Sequence, residues 1–343
     1  MCADWKTSVS PEVEARVLNA LSHREGDRVP VWECIENTAL IRHFARAGDQ
    51  PLDSLARTYR ELGVDVCPWV DQSALPGCQE DTDKKDFPIT GLDQLEAELE
   101  EEDPDWDDLE GQLTQEYFAY RDLLAPRTMF VPTGGTGLNA LYLETGLQRF
   151  CEWMADAPEL LEAVLTQRAR HNRRWAETVA RKRLCPIFLL ADDIACKGRL
   201  LFSPGFLRRA FLPAVRMMCE PLAEAGISVI FHSDGDITEL LPELVEAGIH
   251  GIHPIEPLAG MDIAELKREY GDRLVLVGNV DSSQLLPNGT PEEVRRAARE
   301  CRRIASPGGG HFIGSSGQIG PGVPLENALA FFQTCREYGR YGP

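Results

Sequence analysis

The sequence has no long hydrophobic run and no excess of basic residues. None of its apolar runs approaches the roughly 18 residues that a transmembrane helix needs, and residues 1–18 lack the apolar core of a secretory signal. The 343 residues include 55 acidic and 35 basic side chains, which gives a net charge of −20. A chain this acidic repels nucleic acids and anionic membranes, so we expect neither as a partner. Because the secretory signal is missing, we expect a cytoplasmic protein.

Recognisable cysteine and glycine motifs are also missing. The ten cysteines are scattered, and no two of them form a C-x-x-C pair. Such a distribution is typical of small buried side chains in a reducing compartment rather than of disulfides or a zinc cluster. The glycine-rich PTGGTG at 132–137 does not have the G-x-G-x-x-G spacing of a dinucleotide-binding loop, which argues against a Rossmann fold.

The sequence does contain a repeating order of apolar runs and helix-like stretches. The runs lie at 28–34, 64–70, 127–133, 186–193, 227–234, 248–256, 273–281 and 310–316. Nearly continuous hydrophobic strands that alternate with helices indicate a parallel sheet covered on both faces. Eight such units predict an α/β fold of the (β/α)8 TIM barrel type, as a single domain over residues 1–343. The long connections at 35–63 and 71–126 predict extra helices and loops after the first two strands.

Three helix starts carry capping signals. Ser203 precedes a proline, and Thr290 precedes a proline in the same way, which is typical of an N-cap followed by the first helical residue. Asp236 has Glu239 three residues later, which predicts a capping box at the start of the helix after the fifth strand.

Polar side chains stand at the predicted ends of nearly all strands, whereas the strand interiors are apolar. They are Glu33, Asp71, Thr133, Asp192, Asp193, His232, Asp234, Glu256, Asn279, Asp281, Ser315 and Ser316. In a barrel of this kind the catalytic groups lie where the strands end. The pattern therefore indicates an enzyme or a ligand-binding site.

We predict catalytic roles for His232, Asp234, Asp192 and Asp193. His232 and Asp234 are two residues apart, so in an extended strand both side chains point to the same face. This pair suits a metal site, which Glu256 could complete, or a histidine oriented by a carboxylate for acid–base catalysis. The alternative is that His232 is a core histidine and the aspartate caps a helix. Asp192 and Asp193 are neighbours, so only one can face the barrel axis while the other serves the loop.

The remaining strand-end residues are predicted to contact the substrate. They are Glu33, Asp71, Asn279, Asp281, Ser315 and Ser316. For Asn279 and Asp281, formation of a turn is an equally good interpretation. His250 and His253 lie in or near the sixth strand, where we expect them to pack or to support other site residues.

Several segments of the chain resemble the uroporphyrinogen decarboxylase superfamily, which also contains corrinoid-linked methyltransferases. The segments include RVLNALSHREGDRVPVWE (16–33), the PTGGTG region (132–165), ADDIACKGRLLFSPGFLRRAFLP (191–213), the FHSDGD region (231–262), LVGNVD (276–281) and GPGVPLEN (320–327). The resemblance covers almost the whole chain and implies the same eight-fold barrel. It does not by itself imply one particular reaction.

Two departures from the family's patterns bear on the reaction. The arginine-rich motif by which the true decarboxylase binds porphyrinogen carboxylates is missing from VWECIENTALIRHF at 31–44, so that activity is not expected. The thiol-activating methyltransferases hold zinc through His-x-Cys and a later cysteine. Here the first motif reads His232-Ser233-Asp234, and the later position falls near Gly317. Thiolate activation of the usual kind is therefore not expected. As a hypothesis, His232, Asp234 and Glu256 form a harder metal site, which could still hold zinc with open positions.

Three functions remain open on the sequence alone. The first is a methyltransferase that moves a methyl group between a small methoxylated or methylamine-type substrate and a corrinoid on a partner protein, with His232 and Asp234 polarising or protonating the leaving oxygen. The second is a decarboxylase or other lyase of a small carboxylic acid, in which Asp192 or Asp193 stabilises positive charge. The third is a binding protein that kept the barrel and lost the chemistry.

Overall fold

The computed structural model describes residues 5–76, 87–100 and 105–342. Its strands are β1 (Val66–Cys67), β2 (Met129–Phe130), β3 (Thr133–Gly134), β4 (Ile187–Ala191), β5 (Ala195–Cys196), β6 (Arg199–Leu200), β7 (Ser228–His232), β8 (Gly251–His253), β9 (Val275–Val277) and β10 (His311–Phe312).

Helices surround these strands. They are α1 (Pro11–Leu21), α2 (Thr38–Phe44), α3 (Pro51–Leu62), α4 (Leu92–Glu100), α5 (Trp106–Leu124), α6 (Leu138–Thr145), α7 (Leu147–Asp156), α8 (Pro158–Lys182), α9 (Pro204–Phe206), α10 (Leu212–Glu224), α11 (Leu241–Glu246), α12 (Ile263–Tyr270), α13 (Leu285–Asn288), α14 (Pro291–Ala305) and α15 (Leu325–Tyr338). Short 3-10 turns lie at Gln72–Ala74 and Pro257–Ala259, and a π-helical turn at Leu207–Phe211 joins α9 to α10.

The strands follow the order of a TIM barrel. Six of them form a parallel sheet in the order β10-β9-β8-β7-β4-β3, and β1 pairs in parallel with β2. Parallel bridges from Val31 to Ile313 and from Trp32 to Val66 connect the first predicted strand to its two neighbours. All eight predicted segments therefore take part in a TIM-barrel-like α/β fold.

The paired strands are shorter than the apolar runs that predicted them. The run at 28–34 forms single bridges only, and the run at 248–256 is paired as a strand over Gly251–His253. Apolar residues continue beyond the ladders because burial, not hydrogen bonding, selects them. The antiparallel hairpin of β5 and β6 was not predicted.

The extra helices expected after the first two strands are present. The connection after the first strand contains α2 and α3, and the one after β1 contains α4 and α5. Parts of the second connection, at 77–86 and 101–104, lie outside the described residues. Among the described residues, no helix is long and apolar enough to cross a membrane.

Two of the three predicted helix caps are confirmed. Ser203 Oγ accepts a hydrogen bond from the Phe206 amide at 3.3 Å, and Thr290 forms a capping box with Glu293. The prediction for Asp236 was wrong, because α11 begins only at Leu241. Asp236 instead accepts a bond from the Thr238 amide at 2.9 Å, and this local turn replaces the first turn of the expected helix.

Alternate residues of the strands pack into two different hydrophobic clusters, since successive side chains point to opposite faces. In β4, Ile187 and Leu189 belong to one cluster, and Phe188 and Leu190 to the other. The first cluster also contains residues of α1, whereas the second packs against the surrounding helices. The polar strand ends are thus held on a rigid, fully buried scaffold.

Candidate active site

A histidine and two aspartates meet where β4 and β7 end. Asp193, His232 and Asp234 each offer one potential ligand atom, and these atoms lie within 4.8 Å of one another; we call these three residues the His232 cluster. β4 and β7 pair in parallel with Ala191 opposite His232, which brings the following residues of both strands to one place. Asp193 Oδ1 lies 3.7 Å from His232 Nε2 and accepts a hydrogen bond of 2.9 Å from the Asp234 amide.

A second histidine supports this cluster from the next strand. His253 on β8 is level with His232 on β7, and their Nδ1 atoms are 2.7 Å apart. Only one of the two Nδ1 atoms can carry the proton in this bond. When His253 donates, the proton of His232 lies on Nε2; when His232 donates, its Nε2 is free to bind a metal or to accept a proton. The bond therefore links the tautomers of the two histidines, so that a proton on His253 Nδ1 goes with a proton on the His232 Nε2 that faces Asp193.

Both imidazoles are kept neutral by their surroundings. Burial lowers the pKa of His232, although the negative charges of Asp193 and Glu256 act in the opposite direction. Burial, followed by the neighbouring His232, holds the pKa of His253 well below its ordinary value. A neutral imidazole is the form that can bind a metal or take up a proton.

Two tryptophans enclose the histidine pair. The Trp69 ring lies 5.7 Å from the His232 ring and 6.1 Å from the His253 ring, and Trp32 lies 5.7 Å from His253. The Trp69 indole donates a hydrogen bond of 3.0 Å to Glu36 Oε1, which fixes the ring in this position. Trp69 was not among the predicted site residues, because the prediction rested on polar side chains at the strand ends. Its position near the end of the second apolar run, 64–70, was the available signal.

A cavity of about 270 Å³ opens beside the cluster. Asp234, Glu256, Ser316 and Gly317 are among the residues that line it. Desolvation and then the charge of Asp193 raise the pKa of Asp234 to about 6. Desolvation likewise raises the pKa of Glu256, whose Oε2 accepts a hydrogen bond of 2.8 Å from the Gly235 amide. The structure thus brings together only part of the metal site predicted from His232, Asp234 and Glu256. The group whose ligand atoms lie within 4.8 Å of one another contains Asp193 in place of Glu256.

Asp192 and Asp193 face different surroundings, as expected for neighbours in a strand. Asp192 is buried, and it accepts hydrogen bonds from the amides of Thr136 at 2.6 Å and Asn139 at 3.0 Å. It thereby anchors the start of α6, and burial raises its pKa to about 6. Asp193 is the member of the pair that reaches His232. The catalytic role of either residue stays a prediction.

Glu33 and Ser315 are paired with each other between the first and last strands of the barrel, which are neighbours. Glu33 is 1% exposed. Its carboxylate accepts bonds from the Ser315 amide and hydroxyl, both at 2.9 Å, and from the Cys34 amide at 3.1 Å. Burial raises the pKa of Glu33 to about 8, against the lowering effect of these hydrogen bonds. We call Glu33, Cys34 and Ser315 the Glu33 cluster.

The other predicted substrate contacts are divided between turns and the cavity. Asp71 accepts bonds of 2.8 Å from the amide and hydroxyl of Ser73, and Asp281 accepts three amide bonds that begin the turn before α13. The backbone N–H of Asn279 lies 3.4 Å from Cys301 Sγ. Ser316 lines the cavity next to Gly317. Of this set, Ser316 is the residue that the structure brings to the same cavity as Asp234, and all substrate roles stay predictions.

The chain has recognisable relatives. The uroporphyrinogen decarboxylase (URO-D) family profile matches residues 129–338. The methylated-thiol--coenzyme M methyltransferase of Methanosarcina mazei is 26% identical over 300 residues, which are 83% of this chain and 76% of that protein. The methylcobamide:CoM methyltransferase MtaA of Methanosarcina barkeri is 24% identical over 192 residues, which cover 56% of this chain and 53% of that protein.

One solved structure is similar over the full chain. A methyltransferase from Methanosarcina mazei superposes with a TM-score of 0.70 and 20% identity, and the match covers 95% of this chain and 98% of the other. This likeness shows a shared fold. The profile match spans more than half of the chain and includes β2 to α15. The chain therefore belongs to the uroporphyrinogen decarboxylase family.

Proposed function

We propose that the protein is a cytoplasmic methyltransferase that moves a methyl group between a small methylated substrate and a corrinoid carried by a partner protein. The observation that carries this proposal is the match to a methylated-thiol--coenzyme M methyltransferase over 83% of this chain. A second relative is named for methylcobamide, a methylated corrinoid. The His232 cluster supplies a reactive centre at the end of the barrel where this fold places catalytic groups.

The side chains of this cluster favour a methyl–oxygen or methyl–nitrogen substrate over a thiol. Thiol activation by zinc depends on soft thiolate ligands, and the relevant positions here hold Asp234 and Gly317. A methyl group transferred from oxygen to the reduced corrinoid leaves its bonding electrons on the oxygen. Asp234, whose pKa is raised to about 6, would then donate a proton to that oxygen. His232, neutral and held in the matching tautomer by His253, would pass a proton to Asp234.

The same residues fit a divalent metal ion. One imidazole nitrogen and two carboxylate oxygens within 4.8 Å form a donor set compatible with zinc or a harder cation, with positions left for substrate. Asp193, His232 and Asp234 would hold the ion, and Glu256 would orient the loop through its bond to Gly235. A bound ion would supply Lewis-acid polarisation of the leaving atom.

The proposal is tested by mixing the purified protein with reduced cobalamin and a panel of methoxylated and N-methylated donors. The expected result is the formation of methylcobalamin, which is detected by its absorption spectrum. Elemental analysis shows whether the purified protein contains a metal ion. Loss of activity in a chelator, restored by added zinc, would support a metal requirement. If no donor of the panel gave methylcobalamin and the protein released carbon dioxide from a small acid, methyl transfer would be overturned in favour of the lyase. If neither methylcobalamin nor carbon dioxide formed, both reactions would be overturned and the function as a binding protein would remain.

A further inference from the structure

A second cavity next to the histidine pair is lined by aromatic rings. Its volume is about 300 Å³, and it lies between α5, the β2–β3 segment and the loop that follows β1. The rings that line it are Trp69, Tyr117, Tyr120, Phe130 and Trp175. The Phe130 ring lies 5.2 Å from that of Tyr120 and 5.9 Å from that of Tyr117. This volume suits a small organic molecule and not a tetrapyrrole.

The polar tips of these rings are already bonded to the protein. The Tyr117 hydroxyl donates to the Leu184 carbonyl at 2.8 Å, and the Trp175 indole donates to the Thr133 carbonyl at 3.2 Å. The Trp69 indole donates to Glu36, and the Tyr120 hydroxyl accepts from the Gln72 amide. A ligand in the cavity therefore meets ring surface, next to the hydroxyl of Tyr120 and the side chain of Gln72.

The residues that line the cavity include one carboxylate. Among the described residues that line it, Glu116 is the one charged side chain, and it is exposed to solvent. The whole chain has a net charge of −20, which attracts cations and repels anions. Aromatic rings with a nearby carboxylate are the surroundings that an organic cation prefers, because the negative π faces attract its spread positive charge.

We propose that this cavity binds the methylated ammonium group of a small cation. Trp69 connects the cavity to the reactive centre, since it lines the cavity and also contacts the rings of both His232 and His253. That the bound cation is also the methyl donor rests on the methyl transfer proposed above. In that step the reduced corrinoid would supply the electron pair of the new carbon–cobalt bond, the carbon–nitrogen bond would break, and the nitrogen would take the pair of the broken bond and leave as a neutral amine.

Direct binding is the test, with choline as the probe and tryptophan fluorescence as the readout. The matched comparison is the uncharged isostere of choline in which carbon replaces nitrogen, because it has the same shape without the charge. We expect saturable binding of choline and about tenfold weaker binding of the isostere, as the loss of a desolvated cation–π contact predicts. Equal affinity for the two compounds, tighter binding of methoxybenzene, or no saturable binding of choline would overturn the proposal.

Variants locate the binding in this cavity. Tyr120→Leu and Phe130→Leu each remove one ring, and we expect choline affinity to fall about threefold to tenfold. Tyr338→Leu is the control, since Tyr338 is an exposed ring on α15 outside the cavity. Thermal unfolding shows whether each variant is folded. Unchanged choline affinity in both folded ring variants would contradict the assignment to this cavity.

The cobalamin assay separates this proposal from the proposed function. Choline binding that depends on Tyr120, without methyl transfer from any donor, would keep the cation site and reject the methyltransferase. Methyl transfer from a methoxylated donor, with no choline binding, would keep the methyltransferase and reject the cation site.

Discussion

Two polar clusters at the strand ends of this barrel differ in how their carboxylates are bonded. In the Glu33 cluster, both oxygens of Glu33 accept hydrogen bonds from Ser315 or Cys34, and the side chain is 1% exposed. In the His232 cluster, Asp193 is 33% exposed, and the Asp234 side chain lines a cavity. A carboxylate whose oxygens are bonded internally holds the fold together, whereas one with free oxygens can bind a ligand.

The largest expected difference between the clusters is in catalysis. In His232→Ala we expect methyl transfer to fall by at least about a hundredfold, because both the proton-transfer group and a metal-binding nitrogen are lost. The rate of methylcobalamin formation measures this. His250→Ala is the matched control, since His250 is exposed and lies before β8, away from the cluster. Full activity in folded His232→Ala would remove the residue from the mechanism.

Loss of Glu33 should reduce stability more than activity. In Glu33→Ala the Ser315 amide, the Ser315 hydroxyl and the Cys34 amide would be buried without their acceptor. We expect the free energy of unfolding to fall by roughly 2 to 4 kcal/mol, measured by denaturant titration. Asp193→Asn, which keeps the shape of a more exposed side chain, is expected to lose less than about 1 kcal/mol. A raised KM with unchanged stability would instead support Glu33 as a substrate ligand.

The raised pKa of Glu33 predicts a pH dependence of stability. The pKa is about 8 in the folded protein and near its ordinary 4.5 in the unfolded chain, so the folded state holds the extra proton. The stabilisation is complete below pH 4.5 and is lost as the pH rises through about 8. Relative to Glu33→Gln, which cannot titrate, the free energy of unfolding should decline by up to about 1.4 kcal/mol per pH unit in this window. If the free energy of unfolding of the wild type rose with pH relative to that of Glu33→Gln, the assignment would be contradicted.

The smallest effect is expected at Asp71, which is bonded to neighbours in its own turn. Asp71→Ala removes the two bonds from Ser73, and we expect a loss of about 0.5 to 1 kcal/mol in the free energy of unfolding. Asp71→Asn, which can still accept the amide bond, should restore most of it. A loss of methyl transfer in folded Asp71→Ala would show that the residue contacts the substrate.

The order of strands could be predicted from the sequence because burial on both faces makes each barrel strand a continuous apolar run. His232 and Asp234 could be singled out because they directly follow such a run. The partnership of His232 with His253 could not be predicted. It depends on the register between β7 and β8, which no local pattern reveals. The same holds for Trp69, whose ring reaches the histidines across the barrel from the loop after β1.

The helix starts show the same division on a smaller scale. The cap at Thr290 was predictable because its partners, Glu293 and the following amides, lie within one helical turn. The same logic failed at Asp236, where the chain must first pass the cavity wall at Glu256 and the hairpin of β5 and β6. There Gly235 bonds to Glu256, and the Asp236 amide bonds to the Cys196 carbonyl.

Periodicity and interactions between near neighbours in the chain were enough to predict the eight-unit α/β order, the caps at Ser203 and Thr290 and the set of polar residues at the strand ends. Which of those polar residues remain available for a ligand depends on how distant parts of the chain pack together. Asp192 and Glu33 look like Asp193 and Asp234 in the sequence. The folded chain gives internal donors to both carboxylate oxygens of the first two, from residues 53 to 282 positions away. It bonds one oxygen of Asp193 to the Asp234 amide and places both aspartates beside His232. Hydrogen-bond satisfaction is thus a property of the packed molecule and not of a local segment.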